Sequence, residues 1–174
     1  IANFTNHAYF NLSGEAGSML EHRLTINAHK IMEVNEVYIP TGNLLEAESR
    51  AFDGNYIGQK MKEHGISGFN DYYILNDSSN SLKRAATLEH PACGRKMNIY
   101  TTYPGMMFYT GDYLQSTQPG HAGKPYQPVD GLCLECQFYP DAPNHANFPP
   151  ATLHPGELYR QQIIYEFTTT ANPS

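Results

Sequence analysis

The sequence predicts an all-β fold, an antiparallel β-sandwich. Three observations predict it. Short runs that alternate apolar and polar residues recur about every 10 to 15 residues, with turn residues between them. The chain carries 14 Gly and 12 Pro among 174 residues, which favours many turns over long helices. A helical pattern is confined to one short stretch, Gln59 to His64, stopped by Gly65.

Taken in order, Ile1 to Leu12 reads as a first strand. Residues Ser13 to Gly17 form a turn. Leu24 to Ala28 is a strand, and so is Lys30 to Ile39, closed by a turn at Pro40-Thr41-Gly42. Phe52 to Ile57 reads as irregular. Asp71 to Leu75 and Leu82 to Glu89 form a hairpin around the polar turn at 76–80. Cys93-Gly94-Arg95 is a turn. Lys96 to Thr102 and Met106 to Thr110 are strands separated by Pro104-Gly105. Thr117 to Asp130 is a long loop. Glu157 to Thr169 is the last strand, with Tyr159, Ile163, Tyr165 and Phe167 on one face. No internal repeat or linker divides the chain, so residues 1–174 form one domain.

The stretch with most chemical content is Gly131 to Tyr139. As a strand it puts Leu132, Leu134, Cys136 and Phe138 on an apolar face, and Cys133, Glu135, Gln137 and Tyr139 on the other. A carboxylate inside such a run is costly to bury unless it is paired or has chemistry to do; the pattern alone fits an edge strand whose polar face meets water equally well. The Pro-rich run from Pro140 to Phe148 follows at once and turns the chain into an irregular loop. Cys133 and Cys136 form a C-x-x-C, but positions three apart on a strand face opposite sides, so this pair does not share a metal. No metal is expected.

Composition excludes several classes. There is no apolar run of about 18 residues, and so no spanning helix. Eleven basic against 17 acidic residues give a net charge of −6, which argues against nucleic-acid binding. Three cysteines, an odd number, with no visible leader make the cytoplasm the expected compartment. The chain begins at Ile1 rather than Met, so the expectation is that either a preceding segment has been removed or this is one piece of a longer protein.

Several phrases now add up. Asn6-His7-Ala8-Tyr9-Phe10-Asn11-Leu12, Ile39-Pro40-Thr41-Gly42, Thr101-Thr102-Tyr103-Pro104-Gly105 and Phe108-Tyr109-Thr110-Gly111 are followed by Leu134-Glu135-Cys136-Gln137, Pro140-Asp141-Ala142-Pro143-Asn144 and Pro155-Gly156-Glu157-Leu158-Tyr159. In this order they resemble the C-terminal half of the aldose 1-epimerase, or galactose mutarotase, family. The resemblance implies a large antiparallel supersandwich lacking its N-terminal half. It implies interconversion of the α and β anomers of a free hexose, with no cofactor and no metal. Glu135 falls at the general base and His7 at the general acid. Asn6, Asn70, Asp71 and Met107 fall at substrate-binding positions. A sugar between acid and base predicts neighbouring strands and a separation of about 5 to 8 Å.

The departures from the family pattern matter too. Asn70 stands where the family usually has Asp, and Asp71 where it has His. Strand alternation turns one of the two away from the pocket. Met107 stands where Gln is common and offers only a weak acceptor. The family's N-terminal half, which supplies an Asn-Arg pair and a second His, is missing. Residues 1–174 are therefore expected to need that half, or another chain, for stability, because the Leu132 to Phe138 face and the Tyr159 to Phe167 face lack cover.

Two other functions compete. A carbohydrate-binding pseudoenzyme of the same fold is favoured by Asn70 and Met107 and opposed by the acid–base pair. An epimerase of phosphorylated hexoses would bring arginines together, but Arg23, Arg50, Arg84, Arg95 and Arg160 are scattered along the chain. Among the remaining histidines, His145 is singled out because its loop directly follows Glu135.

Overall fold

A computed structural model describes residues 1–14, 17–77, 79–121 and 123–170. Among the described residues, besides short 3-10 turns, there are ten strands and one α-helix: β1 (Arg23–Ile26), β2 (Ala28–Val34), β3 (Pro40–Glu46), β4 (Asp53–Tyr56), α1 (Ile57–His64), β5 (Asn70–Leu75), β6 (Lys83–His90), β7 (Arg95–Thr101), β8 (Gly105–Tyr109), β9 (Cys133–Gln137) and β10 (Ile163–Thr169). They form two five-stranded sheets, in the orders β10-β7-β6-β1-β4 and β3-β2-β5-β8-β9. Every pairing is antiparallel.

Strand alternation builds the core between the sheets. Leu24, Leu88, Met97 and Ile99 come from one sheet, and Tyr73, Met106, Phe108 and Leu134 from the other; all are buried in one cluster. Burying each such side chain contributes about 1.5 to 3 kcal/mol. The helix α1 ends at Gly65, whose φ of 60° is left-handed and suits glycine. Among the described residues no helix is long and apolar enough to cross a membrane.

The structure corrects several expectations. Residues 1–12 make no strand; they run as an extended arm whose one β-bridge joins Phe10 to Leu132. The turn after β2 lies at Asn35–Tyr38, where Asn35 Oδ1 accepts from the N–H groups of Val37 and Ile39. Pro40-Thr41-Gly42 is therefore not a turn but the start of β3, an edge strand that tolerates Pro because one side of its ladder is free. The stretch read as irregular contains β4. Strands β5 and β6 are no hairpin. Each sits in a different sheet, so the segment between them crosses the sandwich. Ser78, in that segment, and Glu15 and Ala16, in the turn expected after the arm, lie outside the described residues.

The last strand is shorter than its pattern, beginning at Ile163. The expected lack of cover splits in two. Leu132, Leu134 and Cys136 are fully buried in the core between the sheets, and Phe138 is partly buried against it. On β10, Ile163 and Tyr165 pack on the core, but Phe167 is 61% exposed.

Candidate active site

The site forms on the outer face of the sheet β3-β2-β5-β8-β9, away from the core. Register decides which side chains reach it. Tyr72, Met107 and Glu135 lie in one row across β5, β8 and β9, and Asn70, Tyr109 and Cys133 in another. Both rows face outward. Between them runs the row Asp71, Phe108 and Leu134, which faces the core side. The outward rows and the arm line a cleft of about 280 Å³, bounded by His7, Asn70, Met107, Tyr109, Tyr113, Glu135 and Gln137.

Glu135 is held firmly. It is only 7% exposed on a strand paired along its length with β8. The Tyr72 hydroxyl donates to the Gln137 carbonyl at 2.8 Å and so pins the end of β9. It reaches over β8 at Gly105, where a Cβ would stand 2.2 Å from that hydroxyl oxygen, so glycine is required there. Burial raises the Glu135 carboxyl above its ordinary value, and the nearby His7 opposes part of that rise.

His7 arrives on the arm, which runs beside the free edge of β9. Asn3 copies a strand partner with its side chain: its amide donates to the Phe138 carbonyl and its Oδ1 accepts from the Phe138 N–H. Thr5 Oγ1 donates to the Cys136 carbonyl at 2.8 Å. Phe10 and Leu132 exchange two backbone bonds. Between these anchors His7 Nε2 lies 3.3 Å from Glu135 Oε1, with the imidazole 54% exposed. Its Nδ1 lies 3.5 Å from Cys133 Sγ. The rings of His7, Tyr9 and Tyr109 pack together, with centroids 5.4 to 6.5 Å apart. Burial, then the Glu135 charge, push the Cys133 thiol up to about 12.

The structure thus brings His7, Glu135, Asn70 and Met107 together and leaves two expected contacts out. Asp71 faces the other side of the sheet and pairs with Arg50 at 2.7 Å. Asn6 turns back on its own arm, accepting from the Ala8 N–H, and does not line the cleft. The expected spacing of about 5 to 8 Å between His7 and Glu135 also changes: the two lie 3.3 Å apart, and His7 sits on the arm rather than on a neighbouring strand. Among the described residues no Arg lines the cleft. His145 closes the Pro-rich loop instead, beside Asp141 at 3.3 Å and against the Phe148 ring.

Three cleft residues, Gln137, Tyr109 and Tyr113, escaped the sequence reading. Gln137 was legible, since it shares the face of Glu135 two positions on. Tyr113 sits in a loop, where no periodicity points to it. In the sequence Cys133 pairs by spacing with Cys136, which hides its other neighbours. Its actual neighbours are Glu135 and His7, one of them from a distant part of the chain.

A family model described as aldose 1-epimerase matches residues 1–166. A galactose mutarotase of Mus musculus is 40% identical over 170 residues, which cover 95% of this chain and 49% of the relative. An aldose 1-epimerase of Escherichia coli is 33% identical, covering 95% of this chain and 50% of the relative. A solved aldose epimerase homologue from C. elegans superimposes with a TM-score of 0.85 at 27% identity, covering 97% of this chain and 52% of that one. The chain spans about half the length of these relatives. With the family model matched over nearly its whole length and the two-sheet fold shared with a solved homologue, this chain belongs to the aldose 1-epimerase family.

Proposed function

We propose that the protein interconverts the anomers of a free hexose such as galactose or glucose. One observation carries this reading: a buried carboxylate, Glu135, lies in contact with an imidazole, His7, in an open cleft with polar neighbours. Glu135 takes the proton of the anomeric hydroxyl. His7, in its protonated form, gives one to the ring oxygen. The ring opens to the aldehyde, the C1–C2 bond turns, and closure with the proton transfers reversed gives the other anomer. A carboxyl raised by burial makes a stronger base than an ordinary one. Asn70 and Gln137 offer the sugar hydroxyls both donors and acceptors. Tyr109 and Tyr113 offer aromatic surface to its apolar face. The sugar parts the 3.3 Å contact, and the arm gives way rather than the strand.

The relatives are about twice as long. We include in the proposal that a further segment or chain completes the cleft wall and covers the exposed Phe167. Polarimetry on fresh α-galactose tests the reading, comparing wild type with Glu135→Gln. Loss of anomerisation with sugar binding kept supports it; near-full activity in the variant refutes Glu135 as the base. Met107 favours a second reading, a sugar binder without turnover, because it fills a cleft position with a side chain that donates nothing. Binding without anomerisation in the wild type would establish that alternative.

A further inference from the structure

Three donor groups of different kinds meet at the cleft wall. A ring nitrogen of His7, the Cys133 sulfur and a Glu135 carboxylate oxygen all lie within 4.8 Å of one another. Cys133 and Glu135 stand two positions apart on β9, on one face, and both are buried. Strand geometry fixes that pair before any ligand arrives. His7 is the adjustable member, half-exposed on its arm.

The donors lie close enough for a small cation to draw them together, with one ring nitrogen, the sulfur and the carboxylate oxygen within 4.8 Å of one another. Zinc binds nitrogen and oxygen at about 2.0–2.2 Å and sulfur at about 2.3 Å, so tetrahedral ligands stand about 3.4 Å (N to O) and 3.6 Å (N to S) apart. The observed contacts are 3.3 Å from His7 Nε2 to Glu135 and 3.5 Å from His7 Nδ1 to Cys133. A cation takes one of these two nitrogens, so the half-exposed imidazole on its arm has to turn and move in to bring that one onto both partners. Three protein ligands leave a fourth position for water. A sulfur, nitrogen and oxygen set favours zinc or cadmium over magnesium or calcium. Cys136 takes no part, because it points into the core.

We propose that Cys133, Glu135 and His7 form a site for a thiophilic divalent cation of the zinc and cadmium class, and that its occupation silences the cleft. On binding, the Cys133 S–H bond breaks, a sulfur–metal bond forms, and the proton leaves to solvent; nothing is oxidised or reduced. Glu135 and His7 then spend their lone pairs on the metal. The silencing, though not the binding, rests on the epimerase reading.

The test is a cadmium titration of the intact protein, followed by thiolate-to-cadmium charge-transfer absorption. A Cys93→Ser, Cys136→Ala background leaves Cys133 as the single thiol. One cadmium per chain is expected. Cys133→Ser should abolish the band. Calorimetry should show that Cys133→Ser and His7→Gln each weaken binding at least about 100-fold, since loss of a direct ligand exceeds the 10- to 100-fold cost of losing an outer partner. His7→Gln changes an exposed side chain, so a folding defect does not confuse that arm of the test. A missing band in the single-thiol background, or binding unchanged by His7→Gln, overturns the proposal. Polarimetry with and without zinc separates the two readings. Cadmium bound by a protein with no anomerase activity sustains the metal site and removes the epimerase. Anomerase activity without cadmium binding does the reverse.

Discussion

The two members of the proposed acid–base pair are held in opposite ways. Glu135 lies on a strand paired along its length, with the core at its back and its carboxyl mostly shielded from water. His7 lies on an arm fastened by a few hydrogen bonds, most of them from side chains, with its imidazole half in solvent. Glu135 is a fixed point and His7 an adjustable one. The proposed ring opening suits that division, since the sugar oxygens would shift as the ring opens and one partner would have to follow them.

The contrast can be broken or sharpened by substitution. Glu135→Gln has the largest expected effect, a loss near the upper end of the 10² to 10⁴ range for a positioned acid or base, about 10⁴ in kcat by polarimetry. His7→Asn should cost less, about 10², because water reaches the half-exposed position and replaces the acid in part. If His7→Asn costs as much as Glu135→Gln, the arm is as rigid as the strand and the contrast fails.

Loosening the arm comes next. Asn3→Ala removes the paired bonds to Phe138 and Thr5→Val the bond to Cys136. Each bond is worth about 0.5–1.5 kcal/mol, so kcat should fall by up to about tenfold, with Glu135→Gln insensitive to the same changes. An unchanged kcat in both arm variants would detach arm anchoring from the reaction.

The smallest effect is on stability. Burial raises the Glu135 pKa in the fold above the ordinary 4.5. The folded protein then holds that proton more tightly than the unfolded chain, so the group's stabilising contribution is present below the ordinary pKa and lost as pH rises through the raised one. Glu135→Gln should therefore raise Tm slightly at neutral pH, with no gain in acid where the carboxyl is already neutral. A lowered Tm at neutral pH would mean that the His7 contact outweighs burial.

Strand β9 was legible because Leu132, Leu134 and Cys136 alternate cleanly with Glu135 and Gln137 and both faces have definite destinations. Strands β7 and β8 carry similar patterns. The edge strands were obscure. β4 reads Asp-Gly-Asn-Tyr, with no apolar face, and β3 opens with Pro and Gly, because a strand paired on one side escapes the demands on a central one. The arm misled in the opposite sense. Its residues alternate as a strand's do, yet Asn3 and Thr5 pair with β9 through side chains, which no periodicity distinguishes from backbone pairing. Asp71 and Asn70 were separable only once the register was known, because a shift of one residue exchanges their faces.

The pairing of the arm with β9 has a consequence for experiments on truncated chains. The outward backbone groups of β9 are a sheet edge, and the arm is what occupies it. Deleting residues 1–12 removes His7, but it also bares that edge to the same edge of another molecule. Such a deletion should yield sticky, self-associating material, with light scattering rising with concentration, before its lost turnover says anything about an acid. Point changes at His7 leave the edge capped and keep the protein dispersed.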